Sequence, residues 1–545
     1  MAAIASLDLC TEALSRGTLA LRYNSEEALR KNRYLDRFIK YKAPDVLLSV
    51  LKSRLLLLFL SPALALKTLE PNPSASRSGR VPIEGWVDVR LNHFNAANTA
   101  TFPMRYYYNN EFASENIVIF VGGEWAISPG WVRSGLAYEL AEATRAGLFY
   151  TEHRYYGLTR PTEDTGLEFL RFLTVDQALA DLAQFIQYVK SDAFEAGRFR
   201  QAKVALVGCS YAGSMATWMR LAYPHLVDAV FSDSGPLHAQ EDFPEYLEVI
   251  TKAIRVQGGQ NCLSSVEEAV QQLTLLLTTS EGPGQASQMF KTCSPINARS
   301  TLDLATFFWY GITETFAYLV QYAVPGDIPN ACSVITNTSV ANPVQRLANW
   351  ITAQSWTQPC IETRYSEVVL AHRNTSYASE KTTMRLWTYQ TCVEFGWYQT
   401  TTSTRQPFLT TIPLEYFHQM CRDFFALNIN ENLLRAGIER TNLMFGGLSR
   451  LPDKVVTVMG SHDPWSPMGP NVDHQHHLAP VFVVPQISHC RAIRPTGDSE
   501  TEELERTKVA VLQRMQSFVT GIESGASELR AVASMVIVIS VLAFI

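Results

Sequence analysis

"AKVALVGCSYAGSMATWMRLAYP", residues 202–224, runs from small aliphatic residues through a glycine and a serine into apolar residues at helical spacing. A buried strand that turns straight into a helix leaves the turn residue, Ser210, above the edge of a sheet. The turn needs small neighbours, and Gly208 and Ala212 stand two positions to either side. Serines beside glycines also occur in ordinary turns, so a chemical role for Ser210 depends on partners elsewhere in the chain.

Outward from this stretch the pattern alternates. Short β-like runs, "GWVDVRLNHF", "TFPMRYYYN" and "NIVIFVGGE", precede a helical "SGLAYELAEATRAG", a strand-like "GLFYTEHRYYG" and an amphipathic "TVDQALADLAQFIQYVKSD". "DAVFSDSG" then reads as a further strand. Alternation of this kind predicts an α/β fold with a mostly parallel sheet covered on both faces. After about Pro236 some two hundred residues read mainly as helices and loops, before "DKVVTVMG" and "APVFVVPQ" resume the strand pattern. The chain therefore divides into an N-terminal extension with a signal-like segment (1–65), a first core part (80–236), an inserted helical cap (237–440), a second core part (441–520) and an apolar tail (521–545).

The 545 residues are 47% hydrophobic and 18% charged, a globular composition. A net charge of −6 offers no basic field for phosphates, which argues against a nucleic-acid partner. Nine cysteines show neither CxxC pairs nor Cys/His clusters at zinc spacing, so no metal or other cofactor is expected. Six of them, Cys262 to Cys421, fall in the cap, where an exported protein would form up to three disulfides in any of about 15 pairings.

Export is indicated by "LKSRLLLLFLSPALALK", residues 51–67, which has basic Lys52 and Arg54, a short apolar stretch and an Ala63-Leu64-Ala65 exit. Its place behind a long polar stretch is atypical for a signal peptide. Asn337 and Asn374 lie in glycosylation sequons. "SGASELRAVASMVIVISVLAFI", residues 524–545, resembles a glycolipid-anchor signal with a short spacer, so membrane attachment through the tail is one expectation and a packed terminal helix the other. Together these place the protein in the secretory pathway, extracellular or lysosomal.

A serine hydroxyl is a weak nucleophile and needs a base and a carboxylate to orient that base. The α/β-hydrolase arrangement supplies them after late strands, in the chain order Ser, Asp, His. "KVVTVMG" leads to Asp463 and "VFVVPQ" leads to His489. His474, His476 and His477 read as a solvated stretch, His462 abuts Asp463 and faces elsewhere, and the rival carboxylate Asp473 follows no strand. The oxyanion would be held by the backbone N–H of Tyr211 and by that of Gly123 or Glu124, in the glycine-rich "VGGEW".

Assembled, "TFPMRYYYN", "VGGE", "TEHRYYGLTRP", "GCSYAGSMATWMRLAYPHL", "WTYQTCVEFGWYQT", "GSHDPWSP" and "SHC" resemble the serine exopeptidase family that includes prolylcarboxypeptidase, dipeptidyl peptidase II and thymus-specific serine protease. The resemblance spans about Gly85 to Phe518 and is nearest the thymus-specific branch. It implies an α/β-hydrolase core with a disulfide-bearing helical cap inserted after the sixth strand. Ser210 is implied as nucleophile, Asp463 as orienting carboxylate, His489 as base, and Trp465 as part of the substrate pocket. Cys209, Ala212 and Ser214 depart from the prolyl-cleaving relatives, and the change at Ser214 implies a wider or more polar pocket. Cys209 reads as a small buried residue rather than a second nucleophile.

The implied activity is exopeptidase cleavage of short peptides, as a carboxypeptidase or a dipeptidyl peptidase, and a homodimer is compatible with it. The same triad would serve a lipase or esterase, and a surface binding protein would keep the fold without turnover.

Overall fold

The computed structural model describes residues 70–354 and 359–522; the signal-like segment, Cys10 and the apolar tail beyond Ile522 lie outside them. The described residues form one compact unit. Its centre is an eight-stranded sheet.

The sheet opens with β1 (Ile83–Arg90), paired antiparallel with β2 (Thr101–Asn109), which pairs antiparallel with β4 (Ala146–Thr151). Next come β3 (Asn116–Val121), β5 (Val204–Cys209), β6 (Ala229–Asp233), β9 (Val455–Gly460) and β10 (Val481–Val484), all parallel. Strands β4, β5, β6 and β9 are buried at every position, as central parallel strands with both faces covered must be. The edge strand β1 is largely exposed, so its sequence can alternate.

Helices α1 (Leu136–Thr144), α2 (Val175–Val189), α3 (Tyr211–Ala222) and α6 (Glu502–Thr520) cover the sheet. Leu179, Leu182 and Ile186 of α2 recur at three- and four-residue intervals, and all three are buried. The whole is the α/β-hydrolase architecture with a helical cap that the alternation predicts.

Neighbouring β6 and β9 are far apart in sequence, and the chain between them makes the helical excursion. It begins with a helix at Glu245–Ala253, includes α4 (Glu314–Gln321), and ends with α5 (Glu431–Phe445). Its own strands, β7 (Gln240–Asp242) and β8 (Gly396–Tyr398), pair with each other alone. Without a sheet to organise it, this region is cross-linked by Cys262–Cys332, Cys293–Cys360 and Cys392–Cys421. Each closed loop removes conformational freedom from the unfolded chain, a stabilisation of about 2–4 kcal/mol per bond. Among the described residues no helix is long and apolar enough to cross a membrane.

The registers bring the functional segments to one edge. Cys209 pairs with Asp233, Asp233 with Val458, and Gly460 with Val484, so the loops after β5, β6, β9 and β10 all leave the carboxyl ends of parallel strands.

Candidate active site

Ser210 stands between the last residue of β5 and the first of α3, with φ 57° and ψ −134°. A left-handed φ is costly for a residue with a side chain and persists only where the surroundings enforce it. Two contacts enforce it here. A Cβ on Gly208 would lie 2.2 Å from the Ala212 carbonyl oxygen, so only glycine permits the crossing of strand and helix. The Ser210 N–H donates to the Asp233 carbonyl at 2.9 Å, which pins the turn to β6. Ala212 is fully buried, and its methyl group is accommodated where the strict motif has glycine.

Asp463 lies beyond β9 and is wholly buried, with Oδ1 accepting the Trp465 N–H at 3.0 Å. The same oxygen is 2.8 Å from Nδ1 of His489, whose side chain is also buried. An ionised Asp463 accepts only, so Nδ1 carries the proton and the neutral ring presents Nε2 as its basic nitrogen. Nε2 is buried and makes no hydrogen bond to the protein. The bond from the Ser210 hydroxyl is thus not closed here, as is common before substrate arrives.

Burial alone would push the His489 pKa down. The attraction and hydrogen bond of Asp463, helped by Asp233 and Glu124, outweigh it and hold the pKa above the usual histidine value.

The loop that could supply a second oxyanion donor is built by motif residues with structural duties. Glu152 of "TEHRYYG" accepts from the N–H groups of Ile127, Leu158 and Thr159, tying the segment after β3 to the one after β4. Arg154, fully buried, forms a two-point pair with Asp181 at 2.6 and 2.7 Å. These ties carry Gly123 and Glu124 on the loop just beyond β3. Glu124 is buried, and burial drives its carboxyl up to about 7 against the pull of its own N–H and of His489. Tyr211 opens α3, where helix N–H groups have no intrahelical partners, and its hydroxyl is bound by Gln390 and His153.

Trp465 is 8% exposed, with its ring centroid 5.6–5.8 Å from those of Phe243, Tyr246 and Trp397. Its indole N–H donates to Oε1 of Gln321 at 3.0 Å. His462 points away to Gln257 and Asp473 is exposed on a short helical turn, so neither joins the constellation. Asn337 and Asn374 are exposed, as glycosylation acceptors must be.

Cys209 is fully buried, as expected of a residue that is not a second nucleophile, and its sulfur is bonded to that of Cys490. Ser214 is fully buried and its hydroxyl donates to the Pro236 carbonyl at 2.5 Å.

Three participants were not drawn from the sequence. Asp233 Oδ2 accepts the N–H groups of Ala492 and Ile493 and so anchors the chain just after His489; burial raises its pKa to about 6. A carboxylate at the end of "DAVFSD" was a legible signal for it. Gln321 accepts the His489 N–H through its carbonyl at 3.1 Å, and nothing in its helix marks it. The Cys209–Cys490 bond was legible as the two cysteines that flank Ser210 and His489.

A family described as serine carboxypeptidase S28 matches residues 89–511. The mouse (Mus musculus) thymus-specific serine protease is 29% identical over 469 residues, covering 82% of this chain and 90% of its own. The human (Homo sapiens) lysosomal Pro-X carboxypeptidase is 27% identical over 325 residues, covering 56% of this chain and 63% of its own.

Proposed function

Because the chain belongs to the serine carboxypeptidase S28 family and is a serine peptidase, we propose that it removes residues from the ends of short peptides through an acyl-enzyme formed on Ser210. The observation that carries this reading is the buried His489–Asp463 pair at 2.8 Å, with the basic face of the ring left without a protein partner beside the strained turn of Ser210.

In this mechanism Ser210 Oγ attacks the scissile carbonyl carbon as His489 Nε2 takes its proton. Asp463 stabilises the imidazolium, and the N–H groups of Tyr211 and Gly123 receive the oxyanion. The N–H of Glu124 is the alternative donor from that loop. His489 then gives its proton to the leaving amine, and water, activated by the same base, releases the acyl group.

Restriction to chain ends is supported by the roof over the base. The carboxyl end of α4 takes the N–H of His489 and the hydroxyl of Ser488, at 3.1 and 2.8 Å. His489 is 4% exposed, which suits a peptide end threaded beneath the helices and excludes a folded protein. Trp465, in its aromatic cluster, is the proposed wall for the side chain beside the scissile bond.

The secretory route is supported by four disulfides and two exposed sequons, and one relative is by name lysosomal. Mass-spectrometric mapping of products from a peptide library with free and blocked ends tests the reading. Trimming by the wild type that is lost in Ser210→Ala supports an exopeptidase and gives its direction. Internal cleavage of doubly blocked peptides would contradict it.

A further inference from the structure

Cys209 immediately precedes Ser210, and Cys490 immediately follows His489. Their sulfurs are joined, with Cα atoms 5.7 Å apart and a sequence separation of 281. The other three disulfides among the described residues lie within the helical insertion. This one lies in the catalytic edge of the core.

Its two ends differ in their support. Cys209 is the last residue of β5, fully buried and registered against Asp233 in the middle of the sheet. Cys490 sits in the loop beyond β10, with φ 56°, a conformation that needs holding. Hydrogen bonds hold that loop to β6 and to the insertion. The Cys490 N–H donates to Ser234 Oγ at 2.9 Å, Ala492 and Ile493 donate to Asp233, and His489 donates to Gln321.

Among the described residues no hydrogen bond runs directly between the turn at 208–213 and the loop at 486–493. Nε2 of His489 has no protein partner on the Ser210 side either. The disulfide is therefore the direct tie between the segment that carries the nucleophile and the segment that carries the base.

We infer that the Cys209–Cys490 disulfide is a positioning device that sets the separation of the Ser210 hydroxyl and the His489 imidazole. The inference rests on the assignment of those two residues made above. Proton transfer is sensitive to distance, and a misplacement of about 1 Å can lower turnover about 100-fold. Without the bond, the loop keeps its ties to β6 and α4, so the fold survives while the Ser–His distance spreads. The bond is buried, since Cys490 is only 7% exposed, so it acts as a fixed brace in the native protein.

The test compares the full chain with its Cys209→Ala/Cys490→Ala double variant and with Cys293→Ala/Cys360→Ala, which removes a disulfide that lies within the insertion. Measured are kcat and KM on a peptide the wild type cleaves, the pH profile of kcat/KM, and the thermal midpoint. The double variant is expected to lose about 100-fold in kcat with KM within about twofold. Its acid limb is expected to move to lower pH as the His489–Asp463 contact loosens. The control is expected to lose thermal stability with kcat unchanged.

A double variant with wild-type kcat and an unmoved limb overturns the proposal, whatever its midpoint. Should that variant not fold, graded treatment of the wild type with dithiothreitol replaces it. One dithiol gives up two electrons and two protons, leaving two thiols on the protein and its own cyclic disulfide; iodoacetamide then marks the freed cysteines for mass mapping. Activity loss that follows labelling at Cys209 and Cys490 supports the role, and loss that follows the insertion cysteines overturns it. A wild type that neither cleaves peptides nor takes up a fluorophosphonate overturns the Ser210 assignment, and this role with it.

Discussion

The main-chain N–H of His489 is bonded to the main-chain carbonyl of Gln321, 3.1 Å away, so the residue proposed as the base is held in part by the end of a helix in the insertion. The Gln321 side chain extends the link, since its Oε1 accepts from both the Tyr246 hydroxyl at 2.6 Å and the Trp465 indole at 3.0 Å. Trp465 in turn donates its main-chain N–H to Asp463 Oδ1. One residue of the roof thus bears on the base directly and on its carboxylate through Trp465.

Gln321→Ala removes these two bonds and the donation of the Gln321 amide to the Tyr322 hydroxyl, and leaves the backbone contact. Because the hydroxyl and indole lose an acceptor, a stability loss of about 1–2 kcal/mol is expected. A fall in kcat/KM of about tenfold should accompany it, since Asp463 and Trp465 lose their common brace. Unchanged kinetics with the same stability loss would mean that the roof does not bear on the site.

The pH profile follows from the base. A His489 pKa held above the usual value by Asp463 means that kcat/KM falls as pH drops through a point above 6.5. Asp463→Asn removes the charge that raises it, so the limb moves to lower pH while turnover falls on the order of 10⁴-fold. A limb that stays in place would assign it to another group.

Stability should run the other way from that of proteins whose carboxylates are ion-paired. Burial raises Glu124 to about 7 and Glu394 to about 8. Such groups favour the fold while protonated, an effect complete below their unfolded value of 4.5 and lost as pH rises through 7 and 8. His153, His372 and His462, each lowered to about 4 by burial, oppose this between 4 and 6.5, where the unfolded chain binds the extra protons. Above 6.5 the histidines no longer contribute, so the thermal midpoint should fall from there to pH 8. Glu394→Gln should flatten the fall, and a midpoint that rises over this interval would contradict the account.

Gly208→Ala tests the turn. The added methyl would stand 2.2 Å from a main-chain oxygen, which no side-chain rotation relieves. The variant should be destabilised by about 3 kcal/mol or more and lose activity, measured by thermal unfolding and by turnover of the folded fraction.

Much of this was legible in the sequence because parallel strands and amphipathic helices leave opposite periodicities. Largely apolar "VALVGC" and "VVTVMG" are buried on both faces, and the residues just past such strands emerge at one edge, which is how Asp463 and His489 could be read beside Ser210. What was not legible depends on the insertion and on pairing across long separations. The three-dimensional path from α4 to His489 has no periodic signature, and Gln321 looks like any helix-terminal glutamine. Cys209 was read correctly as buried, but its bond to Cys490 was not drawn, because burial and bonding are the same signal until the partner is known. The bond from Ser214 to Pro236 was not legible either, because a position one turn into α3 says nothing about which side of the helix faces Pro236.

The central claim is that Ser210 is an activated nucleophile. It is tested most directly by treating the wild type, Ser210→Ala and His489→Ala with a fluorophosphonate and mapping the adduct by mass spectrometry. A single adduct on Ser210 in the wild type, lost in the first variant and slowed by about 10³-fold or more in the second, is the predicted result. An adduct elsewhere, or labelling of Ser210 that does not depend on His489, would contradict it.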